Sequence, residues 1–228
     1  DGVYNLAQLM QADFNPTILD NVAHCAQYAG ATADVRIVAC IAALPSTGGT
    51  ADARGLEGAQ TISSDPFTGI VKPVTLILGA ATYTISASST VVRSINVQAE
   101  AGAILSPNNG ITLTITGRFD GTESSHFTGA GVVNMRYAKP EWFGALADGS
   151  TNDAATINAA VAALNAAGGG TLDFASRTYI VNTAINCRNN IVYNGKGWST
   201  IIRTGTPTAA TADEIFCEGS PSATTTGI

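Results

Sequence analysis

The sequence predicts a mainly β protein, a solenoid of short stacked strands in two modules, each opened by a short capping α-helix. Three observations carry this: a helix–glycine–strand unit that occurs twice, apolar residues at helical spacing inside each copy, and strict apolar/Thr alternation downstream. Repeats come first because a missed repeat misplaces every later element.

The first copy reads Ile37-Val38-Ala39-Cys40-Ile41-Ala42-Ala43-Leu44 and the second Ile157-Asn158-Ala159-Ala160-Val161-Ala162-Ala163-Leu164. Ile37, Ile41 and Leu44 stand at i, i+4 and i+7, as do Ile157, Val161 and Leu164, so each trio shares one helical face. Thr151 or Asn152 is placed to cap the second helix through its side-chain oxygen, and Asp153 suits the positive end of the helix. Gly168-Gly169-Gly170 ends it, because glycine takes left-handed backbone angles without steric cost. Both copies then run into a strand start, Gly49-Thr50-Ala51-Asp52 and Gly170-Thr171-Leu172-Asp173.

After each helix the period changes to two. Ile111-Thr112-Leu113-Thr114-Ile115-Thr116 alternates as a half-buried strand should, and shorter runs recur at 74–78, 82–85, 94–97, 191–193 and 200–202. Gly79, Gly102, Pro107-Asn108-Asn109-Gly110 and Gly195-Lys196-Gly197 separate them as turns. A second echo pairs 75–83 with 171–179. An open end of stacked strands exposes unpaired N–H and C=O groups and apolar core, and an amphipathic helix laid across it covers both. Ahead of the first cap, the spacing of Leu6, Leu9 and Met10, and of Ile18, Val22 and Cys25, predicts two short helices, with Asn15-Pro16 starting the second. The expected organisation is a helical lead-in or docking segment over 1–35, a first module over 36–136 and a second over 137–228.

Composition bounds the function. The 228 residues are 45% hydrophobic with a mean hydropathy of +0.19, enough for a sizeable core. Charged residues are only 12%, the net charge is −6, and no Lys/Arg run occurs, which removes the basis for gripping a phosphate backbone, so no nucleic-acid partner is expected. No apolar stretch approaches the roughly 18 residues that cross a bilayer, so no membrane partner is expected either. Cys25, Cys40, Cys187 and Cys217 form no C-x-x-C pair and no zinc spacing; buried free thiols are expected, although an even count permits disulfides.

No cofactor, metal or catalytic group is expected. Asp148 and Asp153 resemble the carboxylate pair of a glycosidase, but they sit in the turn and first residue of a helix start, where backbone N–H groups account for them. Asp52 and Asp173 recur at matching places, which argues for turn or ladder structure and against a site that would be needed once. His24 and His126 lie far apart with no patterned nucleophile, and Asp213-Glu214 reads as a solvated loop. Gly195-Lys196-Gly197 lacks the rest of a phosphate-binding loop. Trp142, Phe143 and Trp198 can stack on sugar rings, with burial under the cap helix or at a subunit contact favoured.

The run from Glu141 to Asp153 resembles the opening motif of the pectate-lyase-like superfamily: Phe143-Gly144-Ala145, Asp148-Gly149 and Thr151-Asn152-Asp153, then the helix, the glycines ending in Gly170, Thr178-Tyr179, and Gly195-Lys196-Gly197. Asn152 departs from the commoner Asp. The match is strict over 137–204 and weaker over 36–135. The resemblance implies a right-handed parallel β-helix. The form Pro140-Glu141-Trp142-Phe143 after a first β-rich module is similar to phage and prophage tail proteins. That likeness implies a homotrimer in the virion tail, docked on other tail or baseplate proteins, with later rungs meeting host surface polysaccharide. Family enzymes carry their carboxylates well past the cap, and the run Ser220-Pro221-Ser222 to Ile228 reads as a cut before the next strand. The expectation is therefore a structural and attachment segment of a tailspike or tail fibre. The rivals are the non-catalytic beginning of a polysaccharide lyase, hydrolase or epimerase, and a bacterial surface appendage or adhesin subunit.

Overall fold

The computed structural model describes residues 21–204. The expected helix around Leu6, Leu9 and Met10, the start at Asn15-Pro16, Asp213-Glu214, Cys217 and the Ser220 to Ile228 run lie outside the described residues.

Short strands dominate, and every strand pair among the described residues is parallel. In the first part, β1 (Val22–His24), β2 (Gly49–Asp52), β4 (Val74–Leu78), β7 (Ile95–Ala99) and β10 (Arg118–Gly121) form a 5-stranded sheet in that order. A 3-stranded sheet holds β3 (Gly58–Ile62), β5 (Ala81–Ile85) and β8 (Ile104–Pro107), and another holds β6 (Ser89–Val91), β9 (Thr112–Ile115) and β11 (Val132–Met135). From β4 onward the chain visits these sheets in turn, β4 to β5 to β6, then β7 to β8 to β9, then β10, a single bridge from Phe127 to Leu105, and β11. Side-chain hydrogen bonds between neighbouring circuits span 23 to 25 residues, as from Ser94 to Ile70, Thr116 to Val91 and His126 to Ala103.

Alternation places one face of each strand inward, and parallel register stacks those residues in columns. Ala23, Ala51, Leu76, Val97 and Phe119 are successive register partners, and all are buried. Val91, Ile115 and Met135 form a second column, and Tyr83, Leu105 and Phe127 a third. Each fully buried side chain of this size contributes about 1.5–3 kcal/mol.

The second part holds two further parallel sheets, β12 (Tyr137–Ala138) with β14 (Gly170–Asp173) and β16 (Ile191–Asn194), and β13 (Asp148–Asn152) with β15 (Thr178–Val181) and β17 (Ile201–Thr204). No sheet mixes strands from the two sides of residue 136. The expected run 74–78 is a strand with those bounds, and the other expected strands shift by one residue or so.

Both expected helices are present, α1 (Ala33–Ala43) and α2 (Ala154–Ala166). Ile37 and Ile41 are buried in α1, which ends where Leu44 turns extended ahead of Pro45. Ile157, Val161 and Leu164 are buried in α2. The Gly169 N–H reaches Leu164 O at 2.9 Å and the Gly168 N–H reaches Asn165 O at 3.0 Å, the paired closure of a left-handed helix end.

Two expectations need correction. Residues 22–24 are a strand, not part of a helix with Ile18 and Cys25; Val22, Ala23 and His24 pair with Thr50, Ala51 and Asp52, and only Cys25–Gln27 forms a 3-10 turn. An edge that would otherwise leave β2 unpaired recruits this segment, overriding the helical spacing. Nor are the cysteines free thiols: Cys25 and Cys40 form a disulfide with Cα atoms 5.0 Å apart, and among the described residues no cysteine is free. The pairing joins the 3-10 turn to α1, a proximity that sequence spacing alone does not reveal.

Candidate functional site

Of the residues of the sequence motif, the stretch from Pro140 to Phe143 lies where the two parts meet. Pro140–Phe143 is a 3-10 turn with proline at its start, closed by Gly144 at φ 98°, a left-handed angle that glycine takes freely. Trp142 is 1% exposed; its Nε1 donates to Gly121 O at 3.2 Å, and its ring meets Phe119 and Tyr137 edge-on. Its carbonyl accepts from the His126 and Phe127 N–H groups, and Phe143 packs beside Phe127. Trp142 is thus closed to any sugar, contrary to one reading of the sequence, because the cap region wraps it. Trp198 is fully exposed. The structure does not bring the two tryptophans together as a stacking platform.

Asp153 is buried beneath the chain that precedes α2. Its Oδ1 accepts from Leu146 N–H at 2.9 Å and its Oδ2 from Ala147 N–H at 3.2 Å, with Ala145 buried alongside. It therefore anchors the preceding loop and makes no side-chain bond to the helix it begins, a change from the expected helix-end role. Asn152 Oδ1 accepts from Ala154 N–H at 3.2 Å instead, while Thr151 turns to Asp148. Asp148, on the surface, accepts from the backbone of Thr151 and Ser150 and from the Thr151 hydroxyl, which holds its carboxyl well below the usual range. Gly149 beside it has φ 75°. Both carboxylates accept hydrogen bonds from backbone N–H groups of their own loop.

Glu141 is a second buried carboxyl group of this region, 1% exposed like Asp153. The Tyr179 hydroxyl donates to its Oε1 and accepts from Ala175 N–H at 2.9 Å, while Oε2 has no partner. Burial pushes the Glu141 carboxyl up, and burial together with the adjacent carboxylate pushes Tyr179 up as well. His126 is also buried; Nδ1 lies 2.8 Å from Ala103 O, and Nε2 lies 3.0 Å from Thr122 O.

Asp52 and Asp173 end the equivalent strands β2 and β14 and are both nearly buried. The Arg54 guanidinium grips Asp52 through Nε at 2.9 Å and Nη2 at 2.7 Å, His24 adds a 3.3 Å contact, and the carboxyl is held below its usual value. At Asp173 burial raises the carboxyl, but Lys196 at 2.7 Å, the Tyr137 hydroxyl and Asn194 outweigh it, with a net lowering. Both are ladder residues, as their repetition suggests. Gly170 belongs to β14, and Gly197 has φ 60° at the start of the Gly197–Ser199 turn that follows Gly195 and Lys196.

Sequence reasoning missed a polar groove of about 680 Å³ lined by Arg93, Arg118, Arg136 and Lys139. These residues are scattered along the chain, and only the parallel register brings them to one corner. Among the described residues no group of His, Cys, Asp and Glu is arranged to hold a metal ion, and no helix is long and apolar enough to cross a membrane. Compared with family models, curated proteins and solved structures, the chain matches none.

Proposed function

We propose that the chain is a structural and attachment segment of a bacteriophage tailspike or tail fibre, built as right-handed parallel β-helix modules over 36–136 and 137–228, each begun by its helix. The observation that carries the β-helix reading is the parallel register of successive circuits: Leu76 on Val97, Val97 on Phe119, Tyr83 on Leu105, Leu105 on Phe127. In such a stack, main-chain hydrogen bonds run along the axis and apolar columns fill the interior, which gives a stiff connector. The tail assignment is supported by the resemblance at Glu141 to Asp153, and fold alone does not establish it. On this reading the protein is a homotrimer, docked on tail or baseplate proteins, and it links the virion to the region that meets host polysaccharide. The mechanism is mechanical: the residues named above position and brace.

Immunogold imaging of native phage particles with an antibody raised against this chain tests the assignment. Label on the tail is expected; label on host filaments or cell surface in phage-free cultures overturns it. Sedimentation of the full chain checks the oligomer, with a trimer mass expected.

A further inference from the structure

The groove lined by Arg93, Arg118, Arg136 and Lys139 stands out on a chain with 11 Lys and Arg in all and a net charge of −6. Register explains how it arises. Val91, Ile115 and Met135 stack on one another, so the segments that leave β6, β9 and β11 turn the same corner one above the next. Arg93, Arg118 and Arg136 lie just beyond those three residues, one on each successive circuit. Arg118 pairs in register with Asn96, and Arg93 and Arg136 lie outside the paired strands, so the three cations line one groove without forming a ladder of their own. A shallower groove of about 370 Å³ continues past Arg93 and Arg118 toward Thr50 and Thr75, which lengthens the path.

Three guanidinium groups and one ammonium share this groove with a single carboxylate, Asp120, and their mutual repulsion means that the cluster is not something the fold itself requires. Arg118 pairs with Asp120 at 3.1 Å. Among the described residues, Arg93, Arg136 and Lys139 have no ion pair; Lys139 Nζ lies 5.9 Å from the Trp142 ring. An anion seated in the groove would remove the repulsion.

The chemistry of the walls selects the kind of anion. Guanidinium forks match carboxylates in a bidentate way, and Thr114, Thr116 and Asn134 beside them offer hydrogen bonds to main-chain amides. A sugar ring would want an open aromatic face. Tyr137, 43% exposed, has its ring against Trp142 at 5.7 Å and its hydroxyl on Asp173 at 2.7 Å, and Phe119 is buried. We propose that this corner is a docking groove for an extended acidic polypeptide segment of a partner protein, which lies along the stacked strands with its carboxylates on Arg93, Arg118 and Arg136. The inference stands on the groove and does not depend on the tail assignment.

The test is fluorescence anisotropy of a labelled hexaglutamate peptide titrated with the full chain. Binding is expected to weaken as salt rises, since screening shortens from about 10 Å at 0.1 M to about 3 Å at 1 M. The double variant Arg93→Gln, Arg136→Gln is expected to lose about tenfold in affinity, while Arg188→Gln, which removes a charge outside the groove, changes it little. Thermal unfolding of the double variant checks its fold; should it unfold, the salt series and competition on the wild-type chain decide the matter. No binding, equal loss in Arg188→Gln, or tighter competition by a uronic-acid hexasaccharide than by unlabelled peptide would each overturn the proposal.

Discussion

At Glu141 a carboxyl group sits out of water with one oxygen bonded to Tyr179 and the other without a partner. Because burial raises it above its ordinary value of 4.5, the folded chain holds this proton more tightly than the unfolded chain does. The stability linked to it is therefore full below the unfolded value and is lost as pH rises through the folded one; each tenfold difference in proton affinity between the two states is worth about 1.4 kcal/mol. Glu141→Gln is expected to flatten that decline, read as urea midpoints from mildly acidic to neutral pH; equal slopes for wild type and variant would count against a buried charge here. Asp153 is the opposite kind of residue, a carboxylate whose acceptors are used. Asp153→Ala leaves the Leu146 and Ala147 N–H groups without their acceptor and should cost about 2–4 kcal/mol, with Asp153→Asn costing less; a urea midpoint unchanged in the alanine variant rules out the anchoring role.

The two-glycine step between helix and strand shows why the repeated unit takes the form it does. A Cβ on Gly48 would strike Pro73 O and one on Gly49 would strike Asn21 O, while Gly169 and Gly170 meet Asn190 O and Arg136 O in the same way. In each copy the pair is clamped between carbonyls of two other chain segments, so glycine is required by close backbone approach as well as by positive φ. The Cys25–Cys40 disulfide acts on the first copy, tying β1 and its following turn to α1 across a sequence separation of 15. Replacing Cys25 and Cys40 together by alanine should lower stability by about 3 kcal/mol, the value for closing a loop of that length in the unfolded chain. Calorimetry of the variant beside wild type measures it, and equal melting temperatures would show that packing of α1 suffices.

Across the whole molecule the two sets of sheets are joined at Trp142, with the Arg177–Glu123 ion pair at 2.7 Å as a second, exposed link. Exposed pairs of that kind contribute about 0–1 kcal/mol, whereas truncating a buried tryptophan costs about 3–5 kcal/mol, so the ring dominates the junction. Wild type is expected to unfold in one calorimetric transition and Trp142→Ala in two, since the variant loses the contacts to Phe119 and Gly121 that couple the parts. A single transition retained in the variant would place the coupling elsewhere, with α2 packed on β11 and Phe143 beside Phe127 among the other connections.

What the sequence determined by itself was local: the spacing of Ile37 and Ile41 and of Ile157 and Val161 made two helices, the glycines stopped them, and the alternation of 74–78 and 111–116 made strands. Periodicity and turn chemistry act between residues a few positions apart, and so they are legible along the chain. Tertiary structure decided what depends on partners beyond the reach of local periodicity. It turned 22–24 into an edge strand beside β2, paired Cys25 with Cys40, swung Asp153 onto the preceding loop, sealed Trp142 away from solvent, and gathered Arg93, Arg118 and Arg136 at one corner. Parallel register sets those neighbours, and register is fixed by which apolar faces bury together across the stack, a property of the assembled sheets and of no single segment.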